Sequence, residues 1–171
     1  LLTLHRPSNV DDSVKLHKIL TELDRLDIYI LFPKHHRVKL RKKDWNNIII
    51  VPPMAHSSFI DHLKRCSLVI TDSGGVQEEA PSLGKPLLVL RENTERPEAI
   101  RAGVSKLIGN NPGALKRLLE ENYAVDTWIK SVKEVANPFG DGRSAARIVR
   151  VIEEKLASKP IQAKAIQGSL F

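Results

Sequence analysis

Three features of the 171-residue sequence predict a doubly wound parallel α/β sheet of the Rossmann-like kind. Short apolar runs rich in β-branched residues alternate six times with segments of helical apolar spacing. The linkers between them are short, and the strands are apolar almost throughout, as strands covered on both faces must be. The chain is 42% hydrophobic, which supplies the core of one ordinary domain.

The first strand is expected over residues 1–5, a turn at 6–9, and a helix over 14–26 capped by Asp11 or Asp12. A second strand over 28–32 leads into Pro33-Lys34-His35-His36-Arg37 and a short basic helix ending near residue 43. The third strand spans 47–51 and is stopped by Pro52-Pro53. Ser57 or Ser58 is placed to cap a helix over 59–65, and a central strand follows over 68–71. Next come a helix over 76–83, a strand over 86–90, a short helix over 95–102, a strand over 104–107 and a helix over 113–121. Residues 137–142 read as a loop rich in turn formers, and 144–157 as a closing helix. The domain is therefore set at 1–157, with 158–171 as a tail. A strand at the first residue, with no start methionine, leads to the expectation of a piece from a longer polypeptide.

Composition narrows the function. The formal net charge is +7, yet Lys and Arg are scattered, and only Lys39-Leu40-Arg41-Lys42-Lys43 is dense. Aromatic residues make up 5% and do not interleave with basic ones, which argues against nucleic acid and for a small polyanionic ligand. Cys66 is the single cysteine, read as a small core residue, so neither an internal disulfide nor a cysteine metal cluster is available. His35 and His36 lack the third ligand of a zinc site. Without a signal peptide or a membrane-length apolar run, a cytoplasmic protein is expected.

The central stretch carries the chemistry. After the strand at 68–71, Ser73-Gly74-Gly75 breaks the chain and a helix begins. Such a turn leaves the first helical N–H groups without partners at the strand's carboxyl end. Two glycines remove the Cβ atoms that would keep a phosphate off those amides. Glu78 and Glu79, one turn later, can accept from ribose hydroxyls. Plain helix capping by Ser73 explains the same residues without a ligand, so the local pattern leaves both readings open. His5 ends the first strand, where it can meet a phosphate, act as an acid, or satisfy the backbone. Arg91 and Arg96 can give charge-assisted hydrogen bonds to an anion, unless Arg96 is spent on Glu92, Glu95 or Glu98. Phe59 can stack on a base or belong to the core.

Four motifs then resemble, in order, the non-hydrolysing UDP-N-acetylglucosamine 2-epimerases. They are Thr3-Leu4-His5-Arg6, the run from Thr71 to Glu79, the run from Arg91 to Glu98, and Asn137-Pro138-Phe139-Gly140-Asp141-Gly142. That resemblance implies a two-domain, GT-B-like enzyme with its active site between the domains, this chain being the carboxyl-terminal half. UDP would be eliminated to leave a 2-acetamidoglucal and then added back with the other C2 configuration. Ser73, Gly74 and Gly75 would hold the diphosphate with His5 and Arg96, Glu79 the ribose, and Phe59 the uracil. His5 would be the one catalytic group present, the proton-moving carboxylates lying in the missing amino-terminal half. His35 falls near a position tied to regulation in some bacterial members, though its loop differs from theirs. The family's first motif usually continues with Glu where this chain has Ser8. No metal or redox cofactor is called for, and the whole protein is expected to be a homodimer. The alternatives are a hydrolysing epimerase, a GT-B glycosyltransferase domain, or a nucleotide-binding module without turnover.

Overall fold

A computed structural model describes residues 1–40, 45–109, 117 and 126–157 of the chain, apart from the side chains of 126 and 127. The chain divides into two compact units, Leu1–Phe139 and Gly140–Phe171. In the first unit the order is β1 (Leu2–Thr3), α1 (Pro7–Val10), α2 (Ser13–Asp24), β2 (Ile30–Pro33), β3 (Ile48–Val51) and α3 (His56–Arg65). It continues with β4 (Val69–Thr71), α4 (Gly74–Ser82), β5 (Leu87–Val89), α5 (Pro97–Arg101), β6 (Ser105–Leu107) and α6 (Asp126–Val132).

Among the described residues all strand pairing is parallel, as the sequence predicts. One ladder runs β1-β4-β5-β6, the other joins β2 to β3, and β2 packs beside β1. Alternate strand residues feed two apolar layers. Leu2, Ile30, Phe32, Ile70 and Leu88 meet Leu16, Ile19, Leu20 and Leu23 of α2. Val69, Leu87 and Val89 face the other way, onto Leu63 of α3 and Val76 and Ala80 of α4. Each of these side chains larger than alanine contributes about 1.5–3 kcal/mol by leaving water. Burial on both faces is what demands the continuous apolar strands. Cys66 packs half-buried against the second layer, and burial pushes its thiol up.

The departures from the sequence reading have local causes. Residues 6–9 form a helical turn rather than a plain turn, because Asn9 and Val10 N–H both donate to the Arg6 carbonyl and Pro7 presets the first helical position. Asp12, not Asp11, caps α2, accepting from Val14 and Lys15 N–H, while Asp11 pairs with Arg37. No helix follows Arg37 through residue 40: Val38 N–H turns back to the His35 carbonyl, and Val38 is buried in the first layer. The expected continuation of that basic helix to about residue 43 lies outside the described residues, as does the helix over 113–121 except for helical Arg117. α3 starts a turn earlier than expected, with Ala55 at its cap and Phe59 N–H on the Ala55 carbonyl, so neither Ser57 nor Ser58 is the cap. α6 was not anticipated. It is anchored by Val132, buried beside Ala99 and Val104, and by the Trp128 indole N–H on the Gly103 carbonyl at 2.8 Å.

Gly84 ends the turn after α4 at φ +63°, and a Cβ there would sit 3.3 Å from the Lys133 Cα. Gly84→Ala combines a left-handed backbone with that contact, so a loss of roughly 1–2 kcal/mol is expected in urea unfolding. In the second unit α7 (Ser144–Ala157) has the predicted bounds, and all of its residues are exposed. The expected tail lies outside the described residues.

Candidate functional site

The carboxyl ends of β1, β2 and β4 open into one cleft of about 350 Å³. His5 enters it from the end of β1, His35 from the loop after β2, Phe59 from α3, and Ser73, Gly75 and Glu79 from α4. Gly74 adjoins this group. Five of the predicted site residues therefore share one wall system, while Arg96 is not among the residues that line it.

Beneath the cleft floor, Asp72, the first residue after β4, is wholly buried. Its carboxylate accepts from His5 N–H at 3.0 Å, Arg6 N–H at 3.0 Å and the Asn9 side-chain amide at 3.1 Å. The His5 Nδ1 lies 3.1 Å from Asp72 Oδ1. With Nδ1–H donated there, Nε2 is left as the second ring nitrogen for a ligand. Sequence reading missed Asp72, although an Asp ending a buried apolar strand is itself a signal. A carboxylate in that position needs donors from elsewhere in the fold.

Above the floor, Ser73 stands at the cap of α4 in extended conformation, and its Oγ accepts from Val76 N–H at 3.5 Å. The capping interpretation is thus partly realised, but it satisfies Val76 and leaves the glycines out. Among the described residues no acceptor meets Gly74 or Gly75 N–H. Apart from its chain neighbours and its own helix's backbone, a Cβ added to either glycine would meet nothing within 4 Å among the described residues. These amides form the positive end of a nine-residue helix, where an anion gains roughly 0.3–1 kcal/mol, up to about 2 when partly buried.

On the side wall, Glu79 Oε1 lies 3.1 Å from His56 Nε2. Phe59 sits one turn along α3 from His56, half-buried against the second apolar layer while lining the cleft. His56 was also missed by sequence reading. Its three-residue spacing from Phe59 would have marked a shared helix face, had the helix been started early enough. His35 stacks loosely near His5, ring centroids 5.7 Å apart, and closer to His36 at 3.9 Å. Loss of water around the ring, then the charges of His36, His5 and Arg37, hold His35 below the usual histidine value.

The arginine cluster lies on a second network. Arg96 is ion-paired with Glu78 through its Nε and also donates to the Glu95 carbonyl, so its partner is none of the three side chains nearest in sequence. Arg91 is 5% exposed and donates to Glu95 Oε1 at 2.6 Å, and Glu95 in turn lies 3.5 Å from Arg6. The Arg91 hydrogen bond, foremost, holds the Glu95 carboxyl down at about 2. Arg91 Nη1 is buried without a partner. Thr94 Oγ1 donates to Gln77 Oε1, and Gln77 donates to the Ser73 carbonyl, which ties this network to the start of α4.

Fold and cleft together define a class, the doubly wound α/β domains whose ligand cleft opens where the parallel strands end. The sequence model of the family described as UDP-N-acetylglucosamine 2-epimerase matches residues 1–153, and the chain belongs to that family. It is 39% identical over 165 residues to the UDP-N-acetylglucosamine 2-epimerase of Methanocaldococcus jannaschii, covering 89% of this chain and 43% of that one. Among solved structures, the S. aureus MnaA–UDP co-structure superposes with a TM-score of 0.76 at 31% identity, covering 91% of this chain and 45% of that one. The Neisseria meningitidis UDP-GlcNAc 2-epimerase bound to UDP-GlcNAc gives 0.76 at 28%, covering 92% and 44%. The chain thus spans less than half the length of the relatives it matches. The doubly wound sheet expected from the sequence is the fold these GT-B-like epimerases share.

Proposed function

We propose that this chain is the UDP-holding, carboxyl-terminal domain of a non-hydrolysing UDP-N-acetylglucosamine 2-epimerase. The observation that carries the reading is the pair of uncommitted amides at Gly74 and Gly75, opening beside a cleft that Glu79 and Phe59 also line. Ser73, Gly74 and Gly75 would bind the diphosphate, Glu79 the ribose and Phe59 the uracil. His5, held by Asp72, would present Nε2 to the diphosphate or the leaving group. Arg96 would join by exchanging its Glu78 contact for a phosphate oxygen. Fixed dipoles at the start of α4 stabilise charge on departing UDP, which is how such a cleft lowers the barrier to elimination. The C2 proton would be moved by carboxylates of an amino-terminal domain. The whole protein is proposed to be a cytoplasmic homodimer. No helix among the described residues is long and apolar enough to cross a membrane.

Calorimetric titration of UDP, UMP and uridine into the chain tests the reading. Affinity should rise with each phosphate, and a short oligonucleotide should not compete at physiological salt. Glu79→Ala should weaken UDP by roughly 10-fold through lost ribose hydrogen bonds. Equal affinity for UDP and uridine would remove the diphosphate site.

A further inference from the structure

We infer that His56 is a positioning residue that sets recognition of the ribose hydroxyls by aligning Glu79. This deepens the UDP reading above and rests on it. α3 begins at His56 because Ala55, rather than a serine further on, is its cap. The early start puts His56 one helical turn before Phe59, and both line the cleft. Across from them, Val76 and Glu79 are three residues apart on α4 and line it too. The first turns of two helices thus form one wall, and the His56 Nε2–Glu79 Oε1 contact at 3.1 Å ties them together.

The consequence is chemical. A glutamate has three side-chain torsions to lose before its carboxylate can meet two vicinal hydroxyls at once, and each frozen rotor costs binding energy. The His56 contact fixes Oε1 beforehand, and among the described residues Oε2 has no partner. One oxygen is anchored and the other is offered. His56 is 72% exposed and the Glu79 side chain 37%, so the pair contributes little to folding, and the His56 side chain can be removed without unfolding the chain. A nucleoside seated against Phe59 would cover the pair and strengthen it by excluding water. Ribose selectivity then depends on a residue that itself need not touch the ligand.

The test compares UDP with 2′-deoxy-UDP, and with inorganic pyrophosphate, on the 171-residue chain and on His56→Ala and His56→Gln. In the parent chain UDP should bind about 10-fold tighter than the deoxy analogue, one well-held hydroxyl being at stake. His56→Ala should reduce that ratio to about 2, while His56→Gln, whose amide keeps a donor near the Nε2 position, should restore most of it. Pyrophosphate affinity should be the same in all three. An unchanged ratio in His56→Ala overturns the inference. So does a lost ratio that Gln fails to restore, or pyrophosphate binding that falls in parallel, since each marks a structural role. If UDP does not bind the parent chain, the nucleotide reading fails and this inference with it. If UDP binds and only the ratio refuses to move, the nucleotide reading stands alone.

Discussion

Asp72→Ala is expected to lower the free energy of unfolding by roughly 3–5 kcal/mol, the largest stability effect of any single change near the cleft. The carboxylate is wholly buried, and it is the shared acceptor for His5 N–H, Arg6 N–H and the Asn9 side chain. Removing it strands one buried donor, on Asn9, and two part-buried ones, the His5 and Arg6 N–H groups, and a stranded donor costs about 1–3 kcal/mol when fully buried and less where solvent can approach. Part of that cost is recovered as the corner between β1 and α1 shifts toward solvent, so the total falls short of the sum. Asp72→Asn should cost less, because one amide oxygen still accepts while the charge is gone. Urea unfolding decides the matter: the midpoint should drop sharply in Ala and about half as far in Asn, with an unchanged slope. A midpoint near the parent's in Ala would mean that the corner does not depend on this carboxylate. UDP binding should vanish alongside, because His5 loses both its backbone anchor and its ring partner.

Asp72 also shows where sequence reading stops. The strand, the glycine break and the helix at 68–83 were legible because each has a local cause: apolar β-branched residues, missing Cβ atoms, and a serine cap. The partners of Asp72 are more than 60 residues away, and nothing in the local pattern points to them. Arg96 behaves likewise. The sequence offers Glu92, Glu95 and Glu98 as neighbours, yet the folded chain delivers Glu78 from another helix. α6 was invisible because much of what secures it is tertiary, an indole bonded to the Gly103 carbonyl and a valine in a pocket built by α5 and β6. The convergence of His5, His35 and the glycine turn follows from the fold class itself, since any doubly wound sheet gathers the ends of its strands. Which arginines join them does not, because that depends on side-chain pairing.

Gly75→Val is expected to weaken UDP binding by at least about 100-fold while leaving the thermal midpoint unchanged or slightly raised. The argument turns on why glycine is there at all. Neither Gly74 nor Gly75 has positive φ, whereas Gly84, Gly103, Gly109, Gly140 and Gly142 do, so the backbone makes no demand for glycine at the start of α4. Nor does packing demand it, since a Cβ at either position would meet no atom of the described residues within 4 Å beyond its chain neighbours and its own helix's backbone. On intrinsic propensity alone, glycine is a poor choice for a helix and costs up to about 1 kcal/mol against alanine. What two glycines provide is open room in front of two N–H groups. A branched side chain at 75 fills that room and holds a phosphate away from both amides, each worth about 1.5–3 kcal/mol to a charged acceptor. Uridine, which has no phosphate to displace, should bind the variant as it binds the parent. If UDP binds Gly75→Val undiminished, the room in front of those amides is not a phosphate site, and plain capping by Ser73 is all the turn provides.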